Sequence, residues 1–512
     1  MVREIITLHV GQCGNQVGRA FWKQALAEHA SDNIDGTFDD CMSTFFRNVD
    51  NRTNRDVATN GGRQPIYDLK ARAVLIDMES GPVSQTHRGE LGDMFDEQHF
   101  VTGVSGAGNN WAHGNAVYGP EYHDELLEAV RRATEVCDSL QSFFLMHSLG
   151  GGTGSGLGTY LLTLLEDHFP NVYRFSTVVF PSEDDDVITS PYNSVLALQE
   201  LTDHADCVLP VDNASLSNIV ASYVCKFLPV ACFADCSQRR WACMIQHDMN
   251  RPALRIRLCI TLVTWYQHMP KCAPFWTSRS SRWDHDRDTA SGGSETNSGF
   301  DSMNGLVARL LTDLTASMRF AGDLNVDLNE ITTNLVTAGG IFGVPSTNVC
   351  SSTKKYPTPS VLAPEYCPSS SSQSCRGSKF LACGLLVRGE VVVSDVNANI
   401  ERLAAGLDMV HWNPEGYKIG LCSVPPVGDT QSLLCLSNNC CIKYTFANLK
   451  RRFFQLYQKK AMLHHYTQYM DRGGFDEALE SLESLIAEYA DLEQSGEPND
   501  PCDNAAALQL AF

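Results

Sequence analysis

Residues 147–158 read "HSLGGGTGSGLG", with six glycines in twelve positions. The apolar run "SFFLM" (142–146) precedes them, and "TYLLTLLEDHF" (159–169), apolar at helical spacing, follows. Glycine costs folding entropy, so a cluster marks main chain that takes positive φ or approaches something closely. A strand, a glycine-rich turn and a helix N-terminus collect anions: successive N–H groups share one concavity and the helix dipole favours negative charge. Two familiar phosphate patterns are absent. There is no G-x-x-x-x-G-K-[ST], hence no P-loop lysine, and no G-x-G-x-x-G. A phosphate here would rest on main-chain amides with Ser148, Thr153 and Ser155. The other reading is a tight turn with close helix–strand packing.

Working outward, residues 1–215 alternate short β-rich runs with helical segments. "EIITLHV", "ARAVLID", "SFFLMHS", "FSTVVF" and "DCVLPV" are the strands expected, and "GNQVGRAFWKQALAEHA" and "NSVLALQELTDH" two of the helices. Such βαβ alternation implies a parallel sheet covered on both faces, with ligands at the carboxyl ends of its strands. Polar loops recur there: "GQCGNQ", "DMESG", "GAGNNWAHG" (106–114), the glycine turn and "PSEDDD" (181–186). Five loops on one edge define a site for a large anionic ligand.

Composition bounds the rest. At 512 residues, 43% hydrophobic and 19% charged, the chain should hold two or three globular domains. Acidic residues outnumber basic ones 60 to 39, for a net charge of −21, which disfavours nucleic acid and favours a cationic partner. "MVREIITLHVGQCGNQ" is not expected to act as a signal peptide. The longest apolar stretch, at 256–266, falls short of the ~20 residues that span a bilayer, so no membrane partner is expected. The 19 cysteines lack regular spacing and read as reduced thiols in the cytoplasm; Cys232 and Cys236 have no second pair for zinc.

Residues 222–299 change character, with four of the seven tryptophans and no sustained period. They are expected to be dispensable for the core fold, since closure entropy grows slowly with loop length. Periodicity resumes at "FDSMNGLVARLLTDLTASMRF", a helix with Leu306, Leu310 and Leu314 at four-residue spacing. A second tract, 337–379, is rich in Ser, Gly and Pro. The C-terminal part reads as helical, with Phe475, Leu479, Leu482, Leu485, Ile486 and Tyr489 forming one core-facing stripe.

Six spaced motifs, "GQCGNQVG", "GAGNNWAHG", "HSLGGGTGSGLGT", "PYNS", "VDNASL" and "LNVDLNEITTNLV", occur in the order tubulins carry them. The chain thus resembles the tubulin family. "STFFRNVDNR" (43–52), "EDDDVITSPYNS" (183–194), "CSVPPVG" (422–428) and "KKAMLHHY" (459–466) are most similar to its epsilon branch. The resemblance implies an α/β fold: a parallel-sheet nucleotide-binding domain (1–221), an atypical insertion (222–299), a core helix (300–320), an α+β intermediate domain (321–444, degenerate at 337–379) and a C-terminal helical region (445–512).

It also implies GTP or GDP with Mg²⁺. Gly11, Gln12, Cys13 and Gln16 would approach phosphates and base. Ser148, Gly150, Gly151, Gly152, Thr153, Gly154, Ser155 and Gly156 would form the phosphate turn. Ala107, Gly108, Asn109 and Asn110 lie on a loop expected to sense the γ-phosphate, and Glu79 would help hold Mg²⁺ through water. Asp186 and Asn213 match ribose- and base-contacting positions. Phe300 stands where tubulins usually stack a tyrosine on guanine, and Asn304 would read the base edge. Plainer readings stay open: Asn213 as a helix cap, Glu79 as a turn acid, Cys13 as a small buried hydrophobe.

By the same resemblance, Glu330 would act catalytically in trans on the next subunit's nucleotide, with Asp327 orienting its loop; the alternative is that Glu330 solvates a helix face. The partners implied are other tubulin subunits through longitudinal contacts and centriolar or basal-body proteins, in the cytoplasm, cytoskeleton and centrosome. Tubulins follow "NLV" with a Pro–aromatic–Pro segment and a lateral-contact loop, whereas here "NLV" runs into "TAGGIFGVPSTNVC". Lineage-specific loops, or a translated intron and a skipped exon, would explain both tracts; the abrupt loss of periodicity at Ala221 and Val336 favours the second. Two other functions compete: a non-polymerising nucleotide-binding regulator of tubulin partners, and a dinucleotide-dependent oxidoreductase. The missing G-x-G-x-x-G argues against the latter.

Overall fold

Every residue of β1 (Glu4–Val10) is buried, as a central strand covered on both faces requires. In this computed structural model, residues 3–220, 297–335 and 378–495 are described, apart from 54, 60, 183, 184, 218, 321, 323, 392, 405, 406 and 415. The tracts expected to be atypical at 222–299 and 337–379, including the altered segment after "NLV", lie outside the described residues except at their last few positions.

β1 belongs to a six-stranded sheet whose pairs are all parallel. Its spatial order is Cys207–Asp212, Tyr173–Phe180, Leu140–Ser148, Glu4–Val10, Ala73–Asp77, Phe100–Thr102. Chain order runs outward from β1 in one direction and then in the other. The topological switch point therefore falls between β1 and Leu140–Ser148, where Thr7 pairs with Phe144. Open parallel sheets bind ligands there, beyond the carboxyl ends of the strands. The loop after β1 and the glycine turn are the two that flank it.

Two apolar layers cover the sheet. On one, helices His123–Glu135, Gly158–His168 and Ser190–His204 pack with the C-terminal helices Ile442–Tyr457 and Gly473–Gln494. The expected stripe is core: Phe475, Leu482, Leu485 and Tyr489 are buried, and Leu479 and Ile486 pack against them. On the other, α1 (Gly11–Asp32) packs along the helix Asn297–Leu314, which is buried at Leu310 and Leu314. That helix leads to a three-stranded sheet, ordered Tyr417–Cys422, Phe380–Gly389, Gln431–Asn439, one neighbour parallel and the other antiparallel.

A buried ion network pins α1 and the helix Asn297–Leu314 to the second sheet. Glu28 of α1 pairs with Arg319 (2.6 Å) and Arg388 (3.1 Å), and Arg388 also reaches Asp313 (2.9 Å). All four are essentially inaccessible. Burial alone would raise the Glu28 carboxyl, but the two guanidiniums hold it below its usual value.

Candidate functional site

The glycines of the turn divide by what a side chain would meet. At Gly154 an added Cβ would lie 3.1 Å from both Ser148 N and Ser148 O; at Gly152, 2.6 Å from Asn110 N; at Gly156, 2.3 Å from Trp111 O. Gly11 enters α1 at φ +73°, and its Cβ would stand 3.0 Å from Gly154 N. These four permit main chain to pack on main chain, as the tight-turn reading requires. Gly151 differs. Its nearest neighbours would be Asn109 Oδ1 and Ser148 Oγ, both at 3.9 Å, so it borders open space between two loops.

Beyond Gly152 the chain turns once as a π-helix, Thr153–Leu157, before Gly158–His168 continues it. The Gly156 N–H donates to Gly152 O at 2.8 Å, so the amides before it are the unpartnered start of the helix. Ser148 and Thr153 are half-buried beside them. Ser155 corrects the expectation of a phosphate-facing hydroxyl: it is fully buried and donates to Gly151 O, supporting the turn from beneath. Gly150 packs near Asp185 and Pro181, the loop that carries exposed Asp186.

Across the opening, Gly108 (φ +59°) and Asn109 (φ 53°) take left-handed conformations and are exposed, while Ala107 is buried against Gly152. Asn110 departs from its expected role as a γ-phosphate sensor. Its Nδ2 donates to His465 O (2.8 Å) and its Oδ1 accepts from Ala112 N (3.0 Å), so its amide is a splint inside the protein.

On α1, Gln12 is exposed and Cys13 and Gln16 are half-buried. Burial pushes the Cys13 thiol up to about 12, which keeps it protonated and suits the small-hydrophobe reading. Phe300, 55% exposed, and Asn304 lie four residues apart on the helix that packs along α1, hence on one face. Asn213 opens a helical turn after Cys207–Asp212. The cap is Asp212, whose carboxylate accepts from Ala214 N (3.2 Å) and Ser215 N (3.1 Å), so the capping reading of Asn213 does not hold.

The strand Ala73–Asp77 ends at the same edge. Glu79 is exposed, and its side chain extends over Gly106. Asp77, which the sequence reading passed over, is 3% exposed, and its Oδ2 has no hydrogen-bond partner. Burial pushes its carboxyl up to about 7. No cluster of three or more His, Cys, Asp or Glu suited to a metal occurs among the described residues. Two carboxylates at a phosphate cradle fit Mg²⁺, which keeps its waters and takes substrate oxygens in place of a full protein cage.

Asp327 and Glu330 are not brought to this edge. Asp327 pairs with Arg3, beside the amino end of β1, and accepts from Glu330 N (2.7 Å) at the start of helix Leu328–Leu335. Glu330 reaches Lys418 at 3.2 Å on the second sheet. Both thus stand at the opposite end of the central sheet from the glycine turn. A residue without any expected role organises the site instead: fully buried Asn193, from the "PYNS" motif, donates to Asn109 O (2.9 Å) and Gly150 O (2.8 Å). It ties the two walls of the opening together.

Residues 4–221 match the tubulin/FtsZ family GTPase domain, and residues 362–451 the tubulin C-terminal domain. The chain is 45% identical to the human tubulin epsilon chain, over 99% of each sequence. The chain belongs to the tubulin family. The mouse tubulin epsilon chain is also 45% identical, over 95% of this chain and 96% of its own length. The beta-1 tubulin of Colletotrichum graminicola is 30% identical, over 97% and 96%. This tubulin is therefore epsilon-like across nearly its whole length. The human alignment runs through both tracts of altered composition, and the C-terminal match opens inside the second. Membership sets aside the oxidoreductase reading. No helix among the described residues is long and apolar enough to cross a membrane.

Proposed function

We propose that this tubulin binds GTP or GDP with Mg²⁺ at the carboxyl edge of the central sheet. The observation that carries the reading is the open space at Gly151, bounded by Ser148 and Asn109 and lying against an unpartnered helix start. The amides of the turn hold phosphate oxygens; Glu79 and Asp77 hold Mg²⁺, which neutralises phosphate charge; Asn109 meets the third phosphate. Gln12, Gln16, Asp186, Asn213, Phe300 and Asn304 supply the ribose and base contacts.

As an epsilon-like subunit it acts in microtubule organisation at centrioles and basal bodies, in longitudinal contact with other tubulins. In that contact Glu330 reaches the neighbouring subunit's nucleotide, and its carboxylate orients or deprotonates the attacking water. Its place at the opposite end of the sheet supports action in trans, because it cannot serve the nucleotide of its own chain. Displacement of a fluorescent GTP analogue tests the nucleotide reading. GTP and GDP should compete and ATP should not; equal displacement by ATP would contradict a guanine site.

A further inference from the structure

Asn193 uses its whole amide. Besides its two donations to Asn109 O and Gly150 O, its Oδ1 accepts from Trp111 N (2.9 Å) and from the Tyr466 hydroxyl (2.6 Å). Both donors and both lone pairs are engaged. Tyr466 comes from the C-terminal region and is buried, its ring 5.5 Å from those of Tyr192 and Phe475. A second bond, Asn110 Nδ2 to His465 O, joins the loop of Asn109 directly to the same C-terminal turn.

The segment around Tyr466 is a surface turn under constraint. Lys460 (φ 51°) and Met462 (φ 56°) are left-handed without being glycine, conformations that persist only where the surroundings hold them. Tyr192 donates to Ala461 O (3.0 Å) on its inner side, while Met462 and Tyr469 stay 40% and 39% exposed on its outer side. A strained turn is thus fastened to the loop that carries Asn109, with apolar side chains facing outward.

We propose that Tyr466 is a positioning residue: through Asn193 it ties the nucleotide loops to the turn 460–470, so that the turn follows whether a third phosphate is bound. The inference rests on the guanine-nucleotide reading above. A phosphate that draws Asn109 inward moves the carbonyl to which Asn193 donates. Asn193 has no spare group with which to absorb that movement, and Tyr466 is wedged between rings, so the turn moves with them.

Hydrogen exchange of the full chain, bound to GDP or to guanosine 5′-(β,γ-imido)triphosphate, tests this. Amides of 458–472 should exchange about fivefold more slowly with the triphosphate analogue, the factor an ordinary hydrogen bond of ~1 kcal/mol supplies. Tyr466→Phe should remove most of that difference while still binding both nucleotides, the direct Asn110–His465 bond carrying what remains. Tyr192→Phe, which loosens the same turn without touching Asn193, should speed exchange equally in both states and keep the difference. A merely structural Tyr466 would behave like Tyr192, and that result overturns the relay. So does a wild-type chain that binds both nucleotides and shows no difference. A wild-type chain that binds neither refutes the nucleotide reading itself, and the relay falls with it.

Discussion

Gly151→Val separates the two uses of glycine in the turn. An added Cβ at Gly151 meets nothing nearer than 3.9 Å, an ordinary contact distance. The substitution should cost the fold about 1 kcal/mol or less, the scale of backbone propensity. At Gly154 the Cβ falls 3.1 Å from two main-chain atoms of Ser148, which cannot swing aside. Overpacking of that kind costs roughly 1–3 kcal/mol, or about 2–4 °C of melting temperature per kcal/mol in a domain of this size. Nucleotide binding should respond in a different pattern. Valine at 151 fills the space assigned to a phosphate and displaces at least two charge-assisted hydrogen bonds. At about 1.5 kcal/mol each, their loss weakens GTP binding by a hundredfold or more. Thermal melts without ligand and titration with a fluorescent GTP analogue read the two effects separately. Gly151→Val should melt like wild type and fail to bind, whereas Gly154→Val should melt lower whatever it binds. Wild-type affinity in Gly151→Val would refute the placement of the phosphate.

Other consequences follow from the same contacts. Arg388→Ala leaves Glu28 and Asp313 short of their shared cation in the core and should cost about 3–5 kcal/mol in urea unfolding. His9, His29 and His147 are buried, and burial lowers their pKa values to about 3, 3 and 4. Because the unfolded chain protonates first, near 6.5, their contribution is full above that pH and lost as pH falls to about 4 for His147 and about 3 for His9 and His29. Each imidazole adds a slope of about 1.4 kcal/mol per pH unit, so His29→Phe should flatten the acid limb of a stability–pH profile by about a third of the three-histidine share. Glu330→Gln should leave nucleotide affinity unchanged and slow only assembly-dependent GTP turnover; equal turnover would show that the Lys418 ion pair is its whole role.

Much of the site edge was legible because strand ends and polar loops are local in sequence. The runs before "GQCGNQ", "DMESG" and the glycine turn are buried strands, and their loops meet at one edge. What was not legible depends on contacts between distant segments. Asn193 looks like an ordinary residue of a helix's first turn, and its partner Tyr466 lies 273 positions away in the sequence. Asp77 closes an apolar strand, and only the fold shows an orphaned carboxylate oxygen there. Glycine identity alone could not say that Gly154 faces main chain while Gly151 faces open space. Serine identity could not say that Ser155 turns inward. The stripe Phe475 to Tyr489 was readable because helical spacing on an otherwise polar helix leaves one face to bury.

A guanine nucleotide held in the glycine turn of this tubulin should leave the purified full-length chain on acid denaturation. Anion-exchange chromatography of the released material should show GTP or GDP approaching one per chain, and Gly151→Val purified in parallel should release almost none. Adenine nucleotide in its place, or guanine nucleotide retained in full by the Gly151 variant, would refute a guanine site at this turn.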